Sequence, residues 1–164
     1  MSSPFILENE TKILTGGRSQ GKTYNMHLEL LQFCETIAKS SNCLSRKVGA
    51  ILVKDGLIVS TGFNRVPLHT ADCKNCIRKA KKSGESLDIC KAIHAEESCI
   101  LSYLNNHTLL DLKDCVLYVS VEPCYNCAKF IIDCGIKTVY AKEKYNSNYT
   151  KAIFDEAKVK LTIL

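Results

Sequence analysis

CVLYVSVEPCYNCAKFIIDCG, residues 115–135, holds two structural elements and the joint between them. Residues 115–121 are an apolar, β-branched run of the kind that forms a buried strand, and residues 123–135 continue as a helix. Pro123 suits a first helical turn and Gly135 a C-terminal cap. The joint therefore sets Cys124 and Cys127 at the start of a helix. A C-x-x-C step there directs two sulfurs to one point, and the helix dipole lowers their thiol pKa so that both can bind a metal as thiolates.

Working outward, IHAEESCILSYL at 93–104 reads as a helix, and VGAILVKDGLIVSTGF at 48–63 as a hairpin turning at Asp55-Gly56. Residues 24–39 place Leu30, Phe33, Cys34, Ile37 and Ala38 on one stripe, the mark of an amphipathic helix. Residues 68–92 change character: they are polar, lysine-rich and without periodicity, as expected of an insertion loop. After residue 135, IKTVYA, a helical stretch near 148–157 and VKLTIL close the chain. The order α-β-β-α-β-α-β-α-β predicts an α/β fold with a mixed sheet of about five strands and helices on both faces.

With 164 residues the chain is sized for one domain, and no apolar run approaches the roughly 20 residues of a membrane span. MSSPFILENETK at 1–12 lacks the basic start and apolar core of a signal peptide, so a cytoplasmic location is expected. A net charge of +5, from 22 basic and 17 acidic residues, favours anionic ligands but falls short of a nucleic-acid-binding face. Small phosphorylated molecules suit it better than polymers. Ten cysteines without a secretory signal point to thiols and metal ligands rather than to a disulfide framework.

His94, Ala95 and Glu96 open one helix and PCYNC at 123–127 opens the next, which is the H-x-E…P-C-x-x-C signature of zinc deaminases. His94, Cys124 and Cys127 would supply three ligands to Zn2+ and leave the fourth tetrahedral position for water, as a catalytic zinc requires. Glu96, two residues after the histidine, is then the catalytic acid/base: it takes the proton of the attacking water and returns it to the ring nitrogen and the departing ammonia. His69, Cys73, Cys76 and Cys90 gather in the insertion as candidate ligands of a structural zinc, which would order a segment that buries little apolar surface. Plain thiols in a loop are the alternative. A zinc ribbon pairing Cys73-x-x-Cys76 with Cys124-x-x-Cys127 is disfavoured, because 47 residues separate the pairs. Cys34, Cys99, Cys115 and Cys134 fall on apolar stripes and read as small core residues.

The chain resembles the deoxycytidylate deaminases of the cytidine deaminase-like superfamily. HAE and PCYNC carry the resemblance, with SRKVGAILVKDGLIVSTGFNRVP at 45–67, SGESLDICKAIHAE at 83–96 and the 29 residues between Asn64 and His94. It covers about residues 24–164 and implies the three-layer α/β/α cytidine deaminase-like fold. It also implies hydrolytic deamination of dCMP, and of dCTP, to the uracil nucleotide and ammonia, supplying dUMP for thymidylate synthesis. By the same resemblance Asn64 bonds the nucleotide sugar, the Ala95 backbone N–H holds the pyrimidine carbonyl, and Tyr145 walls the base or meets phosphate. Arg46 and Lys47 are phosphate candidates, whereas the basic run Arg78, Lys79, Lys81 and Lys82 reads as a solvated face with an effector-phosphate role as the alternative. A homo-oligomer, with a hexamer favoured, and a dCTP effector with Mg2+ belong to the same expectation. The alternatives are a deaminase of another base, such as transfer-RNA adenosine or a free base, and a catalytically silent nucleotide-binding module.

GGRSQGKT at 16–23 matches the phosphate-cradling loop G-x-x-x-x-G-K-T, with KIL before it and an apolar helix after it. A working nucleotide triphosphatase also needs a parallel sheet and a magnesium-holding Asp after an apolar strand. FIID at 130–133 falls inside a helix and ILVKD at 51–55 inside the hairpin. Residues 1–23 therefore read as an N-terminal appendage to a 24–164 deaminase domain, with a passive anion site as the alternative.

Overall fold

The computed structural model of the chain describes residues 17–81, 85–145 and 148–164. Their order is α1 (Gly17–Ala38), β1 (Gly49–Lys54), β2 (Leu57–Phe63), α2 (Ala95–Leu104), β3 (Val116–Val121), α3 (Tyr125–Asp133), β4 (Thr138–Glu143), α4 (Asn148–Glu156) and β5 (Lys160–Ile163). The strands form one mixed sheet in the order β2-β1-β3-β4-β5. β1 is antiparallel to β2 and β3, while β3, β4 and β5 run parallel, each joined to the next by a helix. The predicted hairpin and the alternating units after it account for both halves of this sheet.

The period of two along each strand divides the core. Ala50, Leu52, Leu117 and Val119 face the layer of α2, α3 and α4, among Ile100, Ile131 and Phe154. Ile51, Val53 and Tyr118 face α1, against Leu31 and Cys34. Cys34, Cys99, Cys115 and Cys134 are all buried, as their apolar stripes imply. Burial pushes the Cys34 and Cys99 thiols up to about 12, so they stay protonated. Among the described residues no helix is long and apolar enough to cross a membrane.

Local chemistry sets the joints. Asp55 and Gly56 both adopt positive φ, 51° and 77°, which is the two-residue turn whose twist matches a hairpin. Gly135, at φ 80°, closes α3: its N–H reaches Ile132 O at 2.9 Å and the next N–H reaches Ile131 O at 3.3 Å. Pro123 stands one residue ahead of the α3 N-cap, Cys124, rather than inside the first turn. It restricts Glu122 to extended backbone, so the strand path continues up to the cap. The Pro123 carbonyl also accepts a hydrogen bond of 3.1 Å from the buried Thr150 hydroxyl in α4.

α1 begins at Gly17 and not near residue 24. The earlier boundary rested on the GGRSQGKT motif and not on any helix-stopping residue. Residues 17–23 are the opening turns of α1, not a glycine-rich turn ahead of it, while residue 16 and the KIL run at 12–14 lie outside the described residues.

Two glycines let the layers close. A Cβ on Gly49 would come within 2.6 Å of Ala38 N in α1, and one on Gly62 within 2.7 Å of Ala95 O in α2. Both obstacles are backbone, which cannot swing aside. Gly62→Ala is expected to cost about 2 kcal/mol of stability through this overpacking, measured by chemical denaturation; an unchanged midpoint would contradict the close seat of α2 on β2.

Candidate active site

α2 and α3 start beside each other, and each is capped by a residue of the signature. His94 is the N-cap of α2 and Cys124 the N-cap of α3, both with extended backbone, and Cys127 lies in the first turn of α3. The Glu97 carboxylate accepts the His94 N–H at 2.8 Å, which fixes the start of α2. From these positions His94 Nδ1 lies 3.2 Å from Cys127 Sγ and 3.4 Å from Cys124 Sγ. Zinc–nitrogen and zinc–sulfur bonds of usual length at a tetrahedral angle set N and S about 3.6 Å apart. The three donors are therefore already close to that spacing, and two sulfurs with one imidazole are a donor set that suits zinc. Among the described residues this is the one group of three or more metal-binding side chains whose ligand atoms lie within 4.8 Å of one another.

The charges follow from the contacts. The Cys124 thiolate accepts the Cys127 S–H and faces His94, which pulls its pKa down to about 4. Cys127, the donor of that pair and deeply buried, is pushed up. His94 is raised to about 9, chiefly by its hydrogen bond to Cys124. Glu96, only 3% exposed, is raised to about 7 by burial. A carboxyl tuned to that range both takes and gives a proton near neutral pH.

His94, Glu96 and Cys124 open into a cavity of about 290 Å³. Asn64, Ala95, Tyr145 and Arg46 line it too. Ala95 opens α2, where backbone N–H groups have no intrahelical acceptor. Asn64 is largely engaged already: its Oδ1 accepts Val48 N–H at 2.8 Å and its Nδ2 donates to Arg46 O at 2.9 Å. It clamps the chain leading into β1, leaving one N–H and one lone pair for a ligand. Arg46 is paired with Glu143. Lys47 lies apart, along a separate hollow with Glu35 and Lys39.

Glu122 and Cys43 were given no site role by the sequence, and Arg78 and Lys81, read there as a solvated face with an effector-phosphate role as the alternative, also line this cavity. Glu122, 5% exposed, accepts the Tyr145 N–H at 2.8 Å and so ties that loop to the end of β3; its place just before Pro123 was the available signal. Cys43, Arg78 and Lys81 come from segments without periodicity. The insertion also bounds a second cavity of about 410 Å³, lined by Cys73, Cys76 and Cys90 together with Cys43. His69 is not on its wall.

A family model, "Cytidine and deoxycytidylate deaminase zinc-binding region", matches residues 24–143. The chain belongs to this family. It is 32% identical over 136 residues to the deoxycytidylate deaminase of Schizosaccharomyces pombe, covering 80% of this chain and 41% of that one. It is 37% identical over 114 residues to the deoxycytidylate deaminase of Mycobacterium phage D29, covering 65% and 86%. The chain thus spans less than half of the yeast relative and most of the phage one. The dCMP deaminase of cyanophage S-TIM5, solved in complex with dCMP and dUMP, shares the fold at a TM-score of 0.68 and 24% identity, covering 88% of this chain and 97% of that one.

Cys124→Ser takes away one of the three candidate sulfur and nitrogen donors while serine still suits the N-cap of α3. Metal analysis is expected to find the bound zinc lost and melting to find the protein less stable; full zinc content in the variant would contradict the assignment.

Proposed function

We propose that this protein is a zinc-dependent deaminase that hydrolyses dCMP, and dCTP as a second substrate, to the uracil nucleotide and ammonia, feeding dUMP to thymidylate synthesis. The observation that carries the proposal is the convergence of His94, Cys124 and Cys127 beside the buried carboxyl of Glu96, in a cavity sized for a small ligand. The substrate named for the D29 and S. pombe relatives supports cytosine nucleotides over other bases. An intact Glu96 favours turnover over silent binding, which has no use for an acid/base.

Zinc on the three ligands would supply the Lewis acidity that makes water a usable nucleophile near neutral pH. Glu96 accepts the proton of the attacking water and delivers it to the ring nitrogen next to C4. As the C4–N bond breaks, Glu96 passes the second water proton to the amine, which leaves as ammonia. One water is consumed and the carbonyl of uracil remains. The first-turn N–H of Ala95 holds the pyrimidine carbonyl, Tyr145 walls the base, and Asn64 uses its spare capacity on the sugar. Arg46 and Lys47 stand as the phosphate candidates of the family resemblance, with Lys47 outside the cavity.

The finer features are part of the same reading. Residues 1–23 are an appendage to the 24–164 domain, continuous with it through α1, whose opening turns are residues 17–23. A second zinc would be held by His69, Cys73, Cys76 and Cys90; three thiols on one cavity wall support it, and the loop must tighten to bring the four ligands together. A homo-oligomer is supported by the sheet edge at β2, which leaves Leu57, Ile58 and Val59 exposed, and the hexamer comes from the family resemblance alone. A dCTP effector with Mg2+ and a cytoplasmic location complete it.

Glu96→Gln is expected to keep zinc and fold while lowering dCMP turnover by about 100-fold or more, followed as ammonia release; a variant working at the parental rate would rule out this mechanism. For the insertion, metal analysis is expected to give two zincs per chain, and Cys76→Ser to lose one while dCMP-competent zinc remains. A parental content of one zinc per chain would remove the second site.

A further inference from the structure

The sequence assigns the basic run at 78–82 to solvent, yet the fold turns part of it inward. Two successive turns, Lys79 N–H to Cys76 O at 3.1 Å and Lys81 N–H to Arg78 O at 2.9 Å, coil the insertion tightly. The coil sets Arg78 and Lys81, three residues apart, on the wall of the cavity that also holds His94 and Glu96, whereas Lys79 stays off that wall. Arg78 is half-buried, and its Nε donates to Glu85 O at 2.9 Å, which orients the guanidinium and leaves the terminal nitrogens over.

The charges around the cavity do not cancel locally. Arg46 spends its charge on Glu143, and the Glu122 carboxylate is engaged by the Tyr145 N–H. Among the described residues neither Arg78 nor Lys81 has a carboxylate partner within ion-pair distance. A half-buried, oriented guanidinium and a more exposed ammonium on one cavity wall, with no carboxylate partner among the described residues, are complementary to a phosphate monoester. Such a group carries close to two negative charges at neutral pH and offers three acceptor oxygens. Arg46 is already held and Lys47 lies along another hollow, so they fit this role less well.

We propose that Arg78 and Lys81 hold the 5′-phosphate of the substrate and thereby make the enzyme act on the nucleotide in preference to the nucleoside. The proposal rests on the deaminase reading of the same cavity. On it, the insertion supplies specificity and the two helix starts supply chemistry. The phosphate grip adds binding that deoxycytidine cannot use, so discrimination between the two substrates is its direct readout.

The test compares dCMP with deoxycytidine as substrates of zinc-loaded protein, for the parent and for Arg78→Ala, Lys81→Ala and the double variant. Each single variant is expected to lower kcat/KM for dCMP by about 30-fold, from the loss of a charged hydrogen bond, mainly through KM, with deoxycytidine unchanged. Arg78→Lys is expected to recover part of the loss, and Lys79→Ala to behave as the parent. Calorimetric titration with dUMP against deoxyuridine reads the same phosphate preference without turnover. A parent that binds dUMP selectively but deaminates neither substrate would sink the deaminase reading and leave the phosphate grip standing. Equal losses on dCMP and deoxycytidine, or no loss on dCMP, would overturn the proposal. So would intact dCMP kinetics with a lost response to dCTP, which would make Arg78 and Lys81 effector ligands.

Discussion

Two helices that begin side by side hold the active site together. His94 caps α2 and Cys124 caps α3, and the hydrogen-bond-length contacts from His94 Nδ1 to both sulfurs are the constraint on which the rest depends. Helix starts carry partial positive charge, so two of them converging favour thiolates and any anionic species formed between them. The sheet exists, for this purpose, to fix the two starts. β3 runs straight into α3 through Glu122 and Pro123, and α2 is seated on β2 because Gly62 offers no side chain to keep it away.

The same arrangement explains why one carboxyl can serve as both acid and base. Glu96 follows His94 by two residues, which turns it into the cavity and out of bulk water, and burial raises its pKa. Glu97, next in the chain, spends its carboxylate on the helix start instead. Neighbouring glutamates thus take different tasks because one faces the cavity and the other faces the backbone.

What the sequence made legible was local. The Asp55-Gly56 turn, the Gly135 cap and the helix starts at His94 and Cys124 each depend on residues a few positions apart, so their local geometry follows from spacing. The start of α1 was missed because a motif suggested a boundary where no stopping residue exists. Asn64 looks like a sugar ligand in isolation, but two of its hydrogen bonds go to the chain at 46–48, a long-range clamp invisible to a linear reading. The insertion was the least legible part. It has no periodicity, so neither the inward turn of Arg78 and Lys81 nor the place of Cys43 beside Cys73, Cys76 and Cys90 could be read from spacing.

The central claim is that the joined helix starts make a metal-dependent cytosine nucleotide hydrolase. The most direct measurement follows dCMP by NMR with protein stripped by chelator and then reloaded with stoichiometric zinc. The account predicts no conversion by stripped protein and, on reloading, dUMP and ammonia in equal amounts. Equal turnover with and without metal, or a zinc-loaded protein that leaves dCMP untouched, would contradict it.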